Sequence, residues 1–192
     1  MILPMKRRTL VIGAAGLVGM LAAGWFGWRE SSRRAPQANR AVSPPVKVAP
    51  TTKPLFAAQL PDLSGQSQAL KQWQGKPLVV NFWAPWCAPC VKELPDLNRL
   101  AQKHPKATFI GVAIDTEKNV REFIDKTPVT FPIVVAGHPG IDLIRSLGNT
   151  AGGLPFTVLI KPDGTVQDAI MGAFEVDALD QQIKQLVASS AV

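Results

Sequence analysis

The pair Cys87 and Cys90 constrains the fold more than any other feature, because both cysteines of the chain fall within four residues. The apolar run at residues 78–83 ends just before them and predicts a buried strand. A helical pattern begins near Cys87 and continues to about Gln102. A cysteine pair that follows a strand and opens a helix indicates thiol–disulfide chemistry. Two cysteines in 192 residues also exclude a multi-cysteine disulfide scaffold.

The position of Cys87 at a helix start favours its thiolate, because free N–H groups and the macrodipole stabilise negative charge there. Cys90 falls on the same helical face, close enough to bridge. Pro89 lies in the first turn, where a missing N–H has little cost. We predict that a partly exposed Cys87 attacks a substrate disulfide and that a more buried Cys90 resolves the mixed disulfide. A static disulfide is the alternative, but so small a loop adds little stability.

Strand-like and helical segments alternate through the rest of the domain. We predict strands at residues 108–114, 131–135, 157–160 and 166–171, and helices at 119–126, 141–147 and 176–188. The sequence Pro162-Asp163-Gly164 predicts a hairpin turn between the last two strands. Residues 55–70 are expected to form an additional N-terminal hairpin. This order predicts an α/β fold, with a mixed central sheet covered by helices on both faces.

Residues 9–28 form an uncharged run of twenty residues. A helix of this length spans about 30 Å, which matches the hydrocarbon core of a bilayer. Basic residues precede it at Lys6, Arg7 and Arg8. We predict that residues 1–30 form a signal-anchor or transmembrane helix, and a cleaved signal peptide is the alternative. The order of basic and apolar regions places the domain outside the cytoplasm, by general or twin-arginine export.

Residues 31–54 carry five prolines and no helical or strand period. This composition predicts a semi-rigid tether, which leaves residues 55–192 as the folded domain. Most of the excess positive charge precedes that domain: residues 1–53 hold nine Lys/Arg and one acid, whereas residues 54–192 hold twelve Lys/Arg and thirteen acids. The domain therefore lacks the basic surface of a nucleic-acid-binding protein.

Residues 80–90, VNFWAPWCAPC, resemble the active-site strand and turn of thioredoxin-fold proteins. They resemble more closely the membrane-anchored TlpA/ResA-like thiol–disulfide reductases, and the resemblance covers about residues 55–187. Pro95 corresponds to the helix-kinking proline of that fold. Residues 115–135 resemble the extra helix and strand that the group inserts. The resemblance implies a thioredoxin-like fold with an N-terminal β-hairpin and this insertion.

The resemblance also assigns a substrate groove. Residues 153–157 resemble the loop whose proline is cis and faces the cysteines, so Pro155 is expected to be cis; an ordinary trans turn residue is the alternative. The backbone of Leu154 is expected to pair with a substrate strand. Trp86 is expected to cover the disulfide as a lid. Phe156 replaces a Thr or Glu that relatives often carry, and is expected to make the groove more apolar.

Glu93 matches an acidic active-site residue of the ResA-like group. A partly buried carboxyl here would disfavour the thiolates and relay protons; the alternative is an acid in the first helical turn that complements the helix dipole. Asn81 stands where plain thioredoxins carry an acid, which makes Glu93 the better proton acceptor. His104 is predicted to be a solvated helix-end residue and His138 a loop residue. We expect no metal site at the cysteines.

These observations predict a thiol–disulfide reductase that faces the periplasm from the inner membrane and reduces client proteins through the Cys87–Cys90 disulfide, without a further cofactor. No histidine separates the cysteines, so the reduced form is less stabilised and the couple less oxidising. The resemblance implies a membrane electron donor, and clients such as apocytochrome c or a copper-site protein of oxidase assembly. Alternatives are a Cu(I)-handling or redox-sensing module and a thiol peroxidase.

Overall fold

The computed structural model describes residues 50–189, and they form the predicted alternation of strands and helices. The elements are α1 (Lys53–Ala57), β1 (Gln59–Pro61), β2 (Ser67–Ala69), a short 3-10 helix (Leu70–Trp73), β3 (Leu78–Trp83), α2 (Ala88–Lys103), β4 (Thr108–Ala113), α3 (Glu117–Ile124), β5 (Ile133–Val135), α4 (Gly140–Ser146), β6 (Phe156–Ile160), β7 (Val166–Met171) and α5 (Val176–Ala188).

The predicted membrane helix at residues 1–30 lies outside the described residues, as does almost all of the tether. Between residues 50 and 189, no helix has both the length and the apolar character needed to cross a bilayer.

The central sheet is mixed and has the strand order β5-β4-β3-β6-β7. Strands β3, β4 and β5 are parallel, whereas β6 is antiparallel to both β3 and β7. All six residues of β3 are buried, as expected for a central strand covered on both faces. The chain leaves the end of this strand and enters the cysteine motif directly, so the cysteines lie at one end of the sheet.

Side chains alternate along β3, and the alternation divides the core into two layers. Val79 and Trp83 pack with apolar residues of α2, α3 and α5, in the same cluster as Cys87 and Cys90. Leu78, Val80 and Phe82 face the other side, which α1, the 3-10 helix and α4 cover. Helices therefore cover both faces of the sheet, as predicted.

The N-terminal hairpin is present but shorter than predicted. Strands β1 and β2 pair antiparallel, and Asp62 bridges to Val134 at the β5 edge of the main sheet. The preceding residues form helix α1 instead of strand, with Pro54 in its first turn, where proline is well tolerated.

The predicted insertion is confirmed as α3 and β5, between β4 and α4. Strand β5 begins at Ile133, two residues later than predicted. Pro132 precedes it and has no N–H to donate to a ladder.

Candidate active site

Cys87 and Cys90 form a disulfide at the start of helix α2, with 5.2 Å between their Cα atoms. Cys87 is the N-cap residue, and its sulfur accepts a hydrogen bond of 3.4 Å from the Cys90 N–H. A helix leaves its first N–H groups without intrahelical partners, so one of these donors faces the Cys87 sulfur. Cys87 is 6% exposed and Cys90 fully buried. The order of exposure is as predicted, but Cys87 is more buried than the expected partly exposed residue.

The loop before β6 contains the predicted cis peptide bond, between Leu154 and Pro155. In the β6–β3 register Phe156 lies opposite Phe82, so Pro155 comes next to the end of β3 that leads into the cysteines. Its carbonyl oxygen accepts a hydrogen bond of 2.9 Å from the Gly172 N–H. This pairing joins the loop to the end of β7.

Leu154 is half-buried and packs against the core cluster that contains both cysteines. Within residues 50–189 its backbone N–H and C=O make no hydrogen bond. Backbone groups left unpaired beside a surface are the groups that β-augmentation uses. The position of Leu154 is therefore compatible with the expected pairing to a substrate strand.

Trp86 is 65% exposed, directly before Cys87. It borders a cavity of about 270 Å³ whose other walls come from the segments after β4 and β5. Trp83, by contrast, is fully buried and packs against Phe123 at 5.3 Å between ring centroids. Trp86 therefore presents an aromatic surface beside the disulfide, whereas Trp83 belongs to the core.

The expectation that Phe156 lines the groove is wrong. Its side chain is fully buried and stacks on Phe82, with 5.8 Å between ring centroids. Both rings belong to the core layer on the face of the sheet away from the cysteines. Because side chains alternate along a strand, it is the next residue, Thr157, that faces the layer containing α2.

Glu93 is buried within α2, with 5% of its surface exposed. Its Oε1 accepts a hydrogen bond of 3.0 Å from Asn81 Nδ2. Its Oε2 is buried and has no side-chain partner among the described residues. Burial raises the pKa of Glu93 to about 7, although the hydrogen bond from Asn81 and the backbone amide of Phe174 lower it. Glu93 therefore carries a carboxyl group that can exchange a proton near neutral pH.

The alternative role for Glu93, an acid in the first helical turn, is wrong. Helix α2 begins at Ala88 and has no acidic residue in its first turn. Glu93 instead borders a surface cavity of about 320 Å³, which Pro89 and Phe174 also line. Glu93 thus borders an opening next to the cysteine turn.

Asn81 and Thr157 were not predicted to contact each other. Asn81 Nδ2 donates a second hydrogen bond, of 3.0 Å, to Thr157 Oγ1. The two residues lie opposite each other in the β3–β6 register. The contact could not be predicted because the register depends on pairing between segments far apart in the chain. The signal in the sequence was a single polar residue, Asn81 or Thr157, within each of two apolar runs.

The prediction of a solvated His104 is wrong. It ends helix α2, but its side chain is only 11% exposed and its Nε2 lies 2.7 Å from Asp180 Oδ1. Asp180 also pairs with Lys103 and Lys184. These contacts join the end of α2 to α5. His138 lies in a turn, as predicted. In the described part of the chain, no group of three or more His, Cys, Asp or Glu residues could hold a metal ion.

Comparison with known proteins agrees with this geometry. Residues 38–183 match the Redoxin family. The chain is 32% identical over 128 residues to the thiol-disulfide oxidoreductase ResA of Bacillus thuringiensis (strain Al Hakam), covering 65% of this chain and 72% of that protein. It is 31% identical over 129 residues to the thioredoxin-like protein YneN of Bacillus subtilis (strain 168), covering 65% and 73% respectively.

Solved structures give the same result. The structure of MTB dsbF is 32% identical with a TM-score of 0.61, covering 68% of this chain and 96% of that one. A secreted Mycobacterium tuberculosis disulfide oxidoreductase homologous to E. coli DsbE is 26% identical with a TM-score of 0.58, covering 68% and 97%. From its fold, its disulfide at a helix start and these matches, the chain belongs to the Redoxin family and is a thiol–disulfide oxidoreductase of the thioredoxin/ResA type.

Proposed function

We propose that the chain is a reductase of client disulfides that works from the outer face of the inner membrane. The observation that carries this proposal is the Cys87–Cys90 disulfide at the start of α2, with the buried Glu93 three residues after Cys90 on the same helix.

The reaction begins with the reduced dithiol. The Cys87 thiolate attacks one sulfur of the client disulfide, forming a mixed disulfide, and the other client sulfur leaves as a thiolate. Cys90 then loses its proton and attacks the Cys87 sulfur. The Cys87–Cys90 disulfide forms, and the second client sulfur leaves. Two electrons pass from the dithiol to the client, which takes up two protons to become a dithiol.

Glu93 serves as the proton acceptor for the cysteine pair. Cys90 is fully buried and cannot release its proton directly to water. A carboxyl group whose pKa is raised to about 7 by burial accepts a proton near neutral pH and returns it. Its negative charge also disfavours a nearby thiolate, so Glu93 holds the resolving cysteine protonated until the mixed disulfide has formed.

The client binds as an extended segment beside the disulfide. The free backbone of Leu154 pairs with the segment, and the exposed ring of Trp86 contacts its side chains. Pro155 lies between this backbone and the cysteines and shapes the floor of the groove. Main-chain pairing tolerates different client sequences, because specificity then depends on a few side-chain contacts.

The cellular setting follows from the N-terminal sequence. Residues 1–30 anchor the protein in the inner membrane, and residues 31–54 hold the domain on the periplasmic side. An electron donor in the membrane reduces the Cys87–Cys90 disulfide back to the dithiol after each reaction, because the compartment outside the cytoplasm is oxidising. Suitable clients are disulfides of proteins that need reduced cysteines there, as in cytochrome c maturation or oxidase assembly.

The midpoint potential of the Cys87–Cys90 couple tests the direction of transfer. The purified full chain is equilibrated with glutathione or dithiothreitol buffers, and the dithiol fraction is measured. We expect a midpoint potential of about −270 mV, typical of a reductant such as thioredoxin. A midpoint potential of about −120 mV would instead make the protein a disulfide donor and overturn the proposal.

A further inference from the structure

Three buried polar side chains from three elements meet beneath the active site. Asn81 of β3 donates one hydrogen bond to Glu93 Oε1 on α2 and one to Thr157 Oγ1 on β6, each of 3.0 Å. Asn81 and Thr157 are fully buried, and Glu93 is 5% exposed. The side chain of Asn81 thus connects the sheet to the helix that carries both cysteines.

The contact with Thr157 restrains the amide of Asn81. A carboxamide nitrogen has two hydrogens, and both have acceptors here. Rotation of the amide would break one of these bonds in a dry environment, and an unpaired buried donor is costly. Thr157 is β-branched, so its own side chain has few rotamers. The hydroxyl of Thr157 therefore fixes the direction in which Asn81 presents its other N–H.

The restraint distinguishes the two oxygens of Glu93. Oε1 is held by Asn81, whereas Oε2 is buried and has no side-chain partner among the described residues. We propose that Thr157 is a positioning residue for proton transfer at the cysteine pair: through Asn81 it holds Oε1 of Glu93 and leaves Oε2 to exchange the proton. The proton moves from the Cys90 thiol to Oε2 as the thiolate forms. This proposal rests on the proton-acceptor role proposed above for Glu93.

The charged and titratable side chains near Glu93 lie on helix α2, whereas the sheet, among the described residues, contributes only uncharged polar side chains. On α2, Lys92 and Asp96 border the same cavity, and Cys87 and Cys90 lie in the turns before it. Ala173 and Phe174, across the cavity, have no charged side chain, and the backbone amide of Phe174 also acts on the carboxyl. From the sheet, Asn81 donates to Glu93, and Thr157 contacts Asn81. A change at Thr157 therefore alters the hydrogen bonding of Glu93 without altering any charge nearby.

The test is Thr157→Val in the purified full chain, with Thr157→Ser as the conservative variant that keeps the hydroxyl. NMR titration of the Glu93 carboxyl carbon reports its pKa, and ultraviolet absorbance reports the cysteine thiolates. In Thr157→Val the amide is released and its hydrogen bond to the carboxylate weakens. We expect the pKa of Glu93 to rise by about half a unit to one unit, and the pH profile of disulfide exchange to move upward with it. In Thr157→Ser, which keeps the hydroxyl, the pKa of Glu93 and the pH profile of disulfide exchange should both stay close to those of the parent.

Two controls separate this effect from altered packing. Thr108→Val changes a half-buried threonine of β4 and should leave both pH profiles unchanged. Thr157→Ala removes the same hydroxyl and replaces Thr157→Val in the test if the valine variant does not fold. An unchanged Glu93 pKa in a folded variant without the hydroxyl would overturn the proposal.

A double variant separates this proposal from the proton-acceptor role itself. In a Glu93→Gln background, Thr157→Val should no longer move the exchange profile, because the group on which it acts is gone. If Glu93→Gln alone leaves the profile unchanged, the acceptor role fails. If Glu93→Gln moves the profile and Thr157→Val does not, the acceptor role stands and the positioning role of Thr157 is wrong.

Discussion

The amide of Asn81 donates a hydrogen bond of 3.0 Å to the carboxyl of Glu93, twelve residues further along the chain, and both residues are buried. The bond links the strand that leads into the cysteines with the helix that begins at them. The carboxyl group thus comes from the helix, and the strand supplies the donor that holds it.

Substitution of one cysteine at a time should separate the two sulfur roles. Cys90→Ser leaves the attacking Cys87 without its resolving partner, so mixed disulfides with clients should accumulate. These adducts appear as bands on a non-reducing gel that disappear on reduction. Cys87→Ser should form no such bands and have no reductase activity. Adducts that form through Cys90 in Cys87→Ser would reverse the assignment.

The raised pKa of Glu93 should make stability depend on pH. The folded state holds this proton up to about pH 7, whereas the unfolded carboxyl releases it near its ordinary pKa of 4.5. The protonated group therefore contributes stability that is fully present below pH 4.5 and is lost as pH rises through about 7. Over this range the loss is about 3 kcal/mol. Denaturant unfolding of the oxidised protein at several pH values measures it.

Glu93→Gln should remove that slope, because glutamine has no proton to release. The variant should be more stable than the parent above pH 7, where the parent buries a charge. Glu122→Gln, at an exposed position of α3, is the matched control and should keep the slope of the parent. An equal slope in the parent and Glu93→Gln would show that another group titrates.

Trp86 should matter for clients and little for stability. Its ring is 65% exposed, so Trp86→Ala removes few core contacts and should change the free energy of unfolding by less than about 0.5 kcal/mol. The rate of attack on a peptide disulfide should fall several-fold, whereas attack on a small disulfide such as oxidised dithiothreitol should be nearly unchanged. Trp86→Phe should recover part of the peptide rate. Equal loss with both substrates would indicate that Trp86 acts on the cysteines and not on the client.

Phe156 should behave as a core residue. Phe156→Ala removes a fully buried ring that stacks on Phe82 and should reduce the free energy of unfolding by about 3–5 kcal/mol. Phe156→Leu fills more of the space and should have a much smaller effect on stability. The peptide-reduction rate of folded Phe156→Leu should equal that of the parent. A lower peptide-reduction rate without a loss of stability would show that Phe156 contributes to the substrate groove.

Two of the differences between sequence and structure, at Phe156 and His104, have the same cause: contacts between elements far apart in the chain. The expectation for Phe156 followed the resemblance, in which relatives often carry Thr or Glu at this position, but the β3–β6 register places its ring in the opposite core layer. The expectation for His104 considered only its place at the end of α2, whereas α5 brings Asp180 against it from 76 residues away. Helix α1 was missed because residues 53–57 are too few for a helical period to be recognised.

The sequence by itself determined the features that depend on neighbouring residues. These are the cysteine spacing, the start of α2 at the cysteine turn, the order of strands and helices from β3 onward, and the hairpin turn before β7. Their physical basis is local, since side-chain periodicity, turn residues and helix-start geometry act over a few positions.

Only the tertiary structure decided the environment of Glu93. Asn81 of β3 contacts Glu93, Thr157 of β6 contacts Asn81 across the paired strands, and Phe174 lines the neighbouring cavity from beyond β7. The burial that raises its pKa is produced by packing between elements far apart in the chain. A helix with the same sequence, free in water, would carry an ordinary glutamate.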